Sequence, residues 1–137
     1  MVEEGGFLYD SDSYADDLPY WTYWKNRKTG EIKSHLVIPY TLDCNDMRFF
    51  QALECERFFD YLKSSFDVLY EEGLDFPKMM SVGLHCRISR PARVAAIAQF
   101  IDYIKDKQDV WICKRIDIAH WWIQNHPASI PSVYFPK

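Results

Sequence analysis

Residues 78–104, KMMSVGLHCRISRPARVAAIAQFIDYI, decide how the chain is read. Met79 to Leu84 is a short apolar run of strand length, and Val94, Ile97, Ala98, Ile101 and Ile104 then recur at helical spacing. Ser89 is a candidate N-cap and Pro91 falls in the first turn, where its missing N–H costs nothing, so the helix start is well marked. His85 stands at the join, where the strand ends. In a parallel sheet that junction is where α/β proteins keep their reactive groups. Spacing alone leaves two readings of His85 open, a hydrogen-bonded core histidine or a chemically active one.

Upstream of this unit, His35 to Ile38 reads as a strand stopped by Pro39, with Tyr40, Asp43, Asn45 and Asp46 immediately after it. Asn45 or Asp46 caps a long helical segment in which Ala52, Leu53, Phe59, Leu62, Phe66 and Leu69 fall near one face, and Gly73 closes it. Downstream, Val110 to Cys113 reads as a further strand that leaves Lys114, Arg115 and Asp117 at its carboxyl end. Ile116 to Asn125 is a last helix containing Trp121 and Trp122, and Pro127, Pro131 and Pro136 end it in an extended tail.

The first residues repeat the helix-closing grammar of Tyr70 to Gly73: Val2-Glu3-Glu4-Gly5-Gly6 looks like a helix end running into a strand, Phe7 to Asp10. On that reading the chain begins in mid-architecture and is the carboxyl part of a larger protein. The strand exits into DSDSYADDLPYW, where Asp10, Asp12, Asp16 and Asp17 surround Tyr14 and precede Pro19, Tyr20 and Trp21. So many carboxylates repel one another unless they are solvated, capped by backbone N–H groups, or turned toward a site. The neighbouring aromatics, Tyr14, Tyr20, Trp21, Tyr23 and Trp24, suit a pocket wall. RKTGEIK, residues 27–33, is an exposed hairpin-like turn around Gly30.

At 137 residues, 48% hydrophobic and 17% aromatic, the chain has material for one substantial core. Sixteen basic against twenty acidic residues give no basic field for a phosphate backbone, so nucleic acid is not an expected partner. No run reaches the ~18 apolar residues of a membrane span, and Glu3 and Glu4 with two glycines stand where a signal peptide would be basic and apolar. The expectation is a soluble, cytoplasmic protein without a membrane partner. Cys44, Cys55, Cys86 and Cys113 lie far apart with no C-x-x-C, which points to reduced thiols.

Strands separated by helices of this length imply a parallel sheet with right-handed crossovers. About four strands and three covering helices are visible, too few helices to cover both faces of an open sheet, so the fold expected is α/β, a piece of a (β/α) barrel. Its carboxyl-end rim would collect Tyr14, Asp16, Asp17, Trp21, Tyr40, Asn45, His85, Arg87 and Arg115.

DSDSYADDLPYW, LVIPYTLDCNDMRF, PKMMSVGLHCRISRP and VWICKRIDIAHWW together resemble the carboxyl half of the polysaccharide deacetylase (NodB-like) superfamily, in its branch of allantoinase-like and peptidoglycan-deacetylase-like proteins. The likeness spans nearly the whole chain. It implies the carboxyl part of a distorted (β/α)7 barrel and hydrolysis of a non-peptide amide, either the N-acetyl group of an amino sugar or the hydantoin ring of allantoin. VGLH matches the motif whose histidine protonates the departing nitrogen, which assigns the general acid to His85. The segment around Tyr14, Asp16, Asp17, Pro19 and Trp21 resembles the loop that shapes the substrate pocket, and Tyr40, Asn45, Arg87 and Arg115 complete the set of candidate substrate contacts. The family's base, an aspartate in a T-F-D-D-type motif, and its H-x-x-x-H metal histidines have no counterpart in these 137 residues. His35, His85, His120 and His126 lack that spacing, so a divalent metal such as zinc is implied for full-length relatives without a ligand motif here.

The expected partner is thus a small-molecule or amino-sugar substrate, with a non-catalytic fragment or pseudoenzyme acting in binding or assembly, or a generic α/β small-molecule binder, as the alternatives. A barrel lacking its early strands leaves an unpaired edge and wet interior side chains, so homo-oligomerisation or association with a missing half is also expected.

Overall fold

In the computed structural model, which describes residues 5–49 and 55–129, the five consecutive residues His35 to Pro39 are all buried. An apolar run with no polar alternation is what a central strand needs. Strand β3, Ile32–Val37, accordingly lies between β1, Tyr9–Asp10, and β2, Tyr20–Lys25. β1 runs parallel to β3 with Tyr9 opposite Leu36 and Asp10 opposite Val37. β2 runs antiparallel to it, from Tyr20 opposite Val37 to Lys25 opposite Ile32. The connecting loop is closed by Asn26, whose amide donates to the Glu31 carbonyl at 2.8 Å and whose side chain accepts the N–H groups of Lys28 and Thr29. Gly30 sits at φ 73°, a conformation that a Cβ disfavours.

These strands belong to one compact unit, Met1–Pro39 with Cys113–Lys137, which also contains the helix Arg115–Asn125, here α3. The Asp117 carboxylate accepts the Lys114 N–H at 3.1 Å and satisfies a donor at the start of α3. Ala119, at 0% exposure, is its innermost residue.

Tyr40–Ile112 forms the second unit. Helix α1, Cys55–Glu72, presents Phe58, Leu62 and Phe66, spaced four apart, to Ala96 and Phe100 of helix α2, Pro91–Ile104, with Cys44 completing the core. Phe66 meets Phe100 and Tyr103 edge-on, with ring centroids 6.0 and 6.1 Å away, a favoured arrangement for aromatic quadrupoles. Ahead of α1 a single 3-10 turn, Asp46–Phe49, is capped by Asn45, whose side-chain oxygen accepts the Met47 N–H at 2.9 Å.

Several expectations are corrected. Among the described residues there are three strands, and one pairing is antiparallel: Tyr20–Lys25 is a strand of a hairpin, closed by the turn around Gly30. Met79 to Leu84 forms no strand. Its backbone pairs with the neighbouring segment only at the parallel bridge between Asn45 and Gly83, and at Ser81 the bonds run to a hydroxyl instead of a carbonyl, so no continuous ladder forms. Val110 to Cys113 is likewise irregular. The N-cap of α2 is Arg90, whose backbone is extended and which makes no side-chain cap bond; the Ser89 hydroxyl donates to a carboxylate. The inward face of α2 is Arg93, Ala96 and Phe100, whereas Val94 and Ile101 are 55% and 47% exposed. That helix is apolar nearly all round, so its periodicity does not choose a face. Of the residues expected on the core face of α1, Ala52 and Leu53 lie outside the described residues, as do Val2 to Glu4, Pro131 and Pro136.

Candidate active site

Two segments remote in sequence lie side by side in the second unit. Thr41 and Ser81 exchange hydrogen bonds, each backbone N–H donating to the other's hydroxyl, at 2.8 and 3.0 Å. Further along, the Gly83 N–H donates to the Cys44 carbonyl at 2.8 Å and the Asp46 N–H donates to the Gly83 carbonyl at 3.0 Å. A glycine leaves room for Asn45 at that contact, since a Cβ on residue 83 would stand 2.7 Å from the Asn45 side-chain nitrogen and would have to push it aside. This short parallel contact brings Asp46 against His85.

The Asp46 carboxylate is fully buried and receives three hydrogen bonds. Its Oδ1 lies 2.6 Å from His85 Nδ1, and its Oδ2 accepts the His85 backbone N–H at 2.9 Å and the Ser89 hydroxyl at 2.6 Å. Burial pushes the Asp46 carboxyl pKa upward, but the backbone N–H of His85, the Ser89 hydroxyl and the His85 ring together outweigh it and hold the pKa below its ordinary value. Asp46 is therefore an anion at neutral pH, an acceptor only, and the proton between the two groups belongs to Nδ1. Nε2 is left as the nitrogen that exchanges protons. The His85 side chain is 43% exposed, so this ring is no core histidine.

A second histidine–carboxylate pair, in the other unit, shows the contrast. His35 Nε2 lies 2.8 Å from Asp10 Oδ2, but the His35 ring is only 7% exposed. The Asp10 side chain is 37% exposed, and the half-buried pair ties β1 to β3.

The remaining candidate residues fall in both units. Asn45 sits at the bridge that positions Asp46, Arg87 is exposed in the turn after His85, and Tyr40 is half-buried after Pro39. In the first unit Tyr14, Asp16 and Asp17 are exposed, and Asp16 Oδ1 accepts the N–H groups of Asp17 and Leu18 in a self-capped turn. Trp21 donates its indole N–H to the His126 carbonyl at 2.7 Å. Arg115 donates to the Ser11 hydroxyl at 3.0 Å and the Pro39 carbonyl at 2.7 Å and also bonds the Ile38 carbonyl, while burial lowers its pKa. The sequence reading missed Asp46 as the partner of His85. Its signal was a carboxylate in an aromatic stretch, DMRFF, which served equally well as a helix cap.

Among the described residues, no group of three or more His, Cys, Asp or Glu side chains gathers as a metal site. The described cysteines, Cys44, Cys86 and Cys113, are free, and burial lifts the Cys44 thiol to about 11. No described helix is long and apolar enough to cross a membrane.

No protein-family model matches the chain. A Schizosaccharomyces pombe protein named "Putative polysaccharide deacetylase" is 41% identical over 127 residues, covering 87% of this chain and 40% of that protein. The crystal structure of a "probable Polysaccharide deacetylase" from Pseudomonas aeruginosa PAO1 matches with a TM-score of 0.81 and 56% identity, over 93% of this chain and 43% of that one. The crystal structure of Puue allantoinase matches with a TM-score of 0.81 and 57% identity, over 93% of this chain and 42% of that one. The chain is thus similar to polysaccharide deacetylases and to an allantoinase, and it spans about two fifths of the length of each.

Proposed function

We propose that this chain carries the general-acid part of a hydrolase acting on non-peptide carbon–nitrogen bonds, with His85 as the acid and Asp46 as the group that orients it. The supporting observation is the pair itself: a buried, ionised carboxylate on Nδ1 of a ring that is 43% exposed. As water adds to an amide carbonyl and the C–N bond breaks, the departing nitrogen must gain a proton. Protonated His85 supplies it from Nε2, and the neighbouring anion stabilises the imidazolium until that moment. Asp46 keeps its own charge throughout. The names of the relatives bracket the substrate between an N-acetylated sugar and a cyclic ureide. The pair accounts for delivery of the proton alone; activation of the attacking water is assigned to none of the described residues, among which no metal-ligand cluster gathers.

A non-catalytic role in binding or assembly is the second reading, and it rests on span: the chain matches 40% to 43% of each relative, and the T-F-D-D-type motif is outside its sequence. One assay separates the two. The purified chain is incubated with allantoin and with N-acetylglucosamine oligomers, beside His85→Ala. The acid assignment expects turnover of one substrate and, within a full-length context, a fall of ~10²-fold or more in the variant, the usual scale for losing a general acid. Absence of turnover on both overturns the enzymatic reading for this chain and leaves the binding role.

A further inference from the structure

The carboxylate of Asp46 has a third donor whose purpose the acid assignment does not use. We propose that Ser89 is a positioning residue for His85: its hydroxyl locks the rotation of the Asp46 carboxylate that keeps the His85 ring in the Nδ1–H tautomer. This deepens the acid reading above and rests on it.

A carboxylate can rock about its Cβ–Cγ bond, and a single hydrogen bond to one oxygen does not stop it. Here both oxygens are held, Oδ1 by the imidazole and Oδ2 by Ser89, each at 2.6 Å. The other donor to Oδ2 is the backbone N–H of His85 itself, which moves with the residue it would have to hold. Ser89 lies across the turn after His85, where its N–H donates to the His85 carbonyl at 2.8 Å, and it abuts Arg90 and the first residue of α2. It therefore ties the carboxylate to the backbone of the turn that leads into α2, and not to the ring. Ser89 stands one residue before Arg90, the N-cap of α2, so its hydroxyl is not needed as the helix cap and is used on Asp46.

The test uses the full chain labelled with 15N-histidine, observed at about pH 9, well above the ordinary histidine pKa of about 6.5. Two-bond nitrogen–proton spectra report which ring nitrogen of His85 carries the proton, with H85Q identifying the signal. The wild-type chain is expected to show the Nδ1–H form, and Asp46→Asn the opposite tautomer. Ser89→Ala is expected to shift the tautomer ratio by ~5-fold or more, the scale of one lost hydrogen bond, and Ser89→Thr to restore it. A wild-type ratio in Ser89→Ala overturns the role of Ser89 while leaving the Asp46–His85 pair intact. Nε2–H in the wild-type chain overturns the pair and the acid reading together. If Ser89→Thr fails to restore the ratio, or Ser89→Ala abolishes cooperative unfolding, Ser89 supports packing or the fold and the proposal falls.

Discussion

Replacing Asp46 with Asn changes one oxygen to an NH2 group and leaves the volume nearly unchanged. In the wild-type chain that carboxylate accepts three donors: two from His85 and one from Ser89. An amide has one acceptor oxygen, so it can serve only one side of the site. The arrangement with fewest broken bonds keeps the oxygen toward the His85 N–H and Ser89 and turns the NH2 toward the ring, which must then accept through Nδ1. Three charge-assisted bonds of ~1.5–3 kcal/mol become neutral ones of ~0.5–1.5 kcal/mol. Removing a charge from a fully buried position offsets part of that loss, so the expected net destabilisation is ~1–3 kcal/mol near neutral pH. The variant also removes a pH dependence. Because the folded carboxyl is held below its ordinary value, the unfolded chain takes up this proton first. The stabilisation is fully present above about pH 4 and is lost as the pH falls through the folded value. Urea titrations at several pH values read both effects. An Asp46→Asn chain as stable as wild type at pH 7, with the same acid limb, would refute the geometry from which these magnitudes come.

Phe66→Ala should cost ~3–5 kcal/mol, since the ring is nearly enclosed between α1 and α2, and chemical denaturation measures it. Gly83→Ala must push aside the Asn45 side chain and loosen the cap on Met47, for a loss of ~1 kcal/mol; a double variant with Asn45→Ala should be clearly non-additive, and strict additivity would separate the two residues. Arg115→Lys keeps the charge but cannot span Ser11 and the carbonyls of Ile38 and Pro39, and a fall of ~1–3 kcal/mol in stability is expected from thermal unfolding.

What the sequence disclosed was local. Pro91 marks the start of α2 and Gly73 marks the end of α1, because each acts through backbone geometry within a few residues, whereas Asn45 caps the 3-10 turn Asp46–Phe49 and not the long helix expected of it. The parallel pairing of Tyr9–Asp10 with the strand through His35 also agrees with expectation. The hairpin strand Tyr20–Lys25 escaped because YWTYWK has bulky aromatics on both faces and so no apolar–polar alternation to signal a strand. Met79 to Leu84 erred in the opposite direction: its composition suits a strand, but a ladder is a property of two segments and composition describes one. His85 was legible through its junction and its motif. Asp46 was not, since nothing in a one-dimensional pattern reports a contact made across 39 residues.

That separation also gives the site a place in time. Helix α1 can begin to form from local contacts within ~1 µs, but bringing Asp46 to His85 requires closing the chain between them, at an entropic cost of about 3 kcal/mol for a loop of 39 residues, apart from a constant. The reciprocal Thr41–Ser81 bonds, the Gly83 bridge and the bond from Arg93 of α2 to the Phe49 carbonyl hold that closure, with Cys44, Met80 and Val82 packed on the helix core. The site thus rests on contacts that span the whole loop, whereas each helix rests first on hydrogen bonds within itself. Amide exchange at His85, whose N–H rests on the Asp46 carboxylate, should accordingly run faster than exchange within either helix.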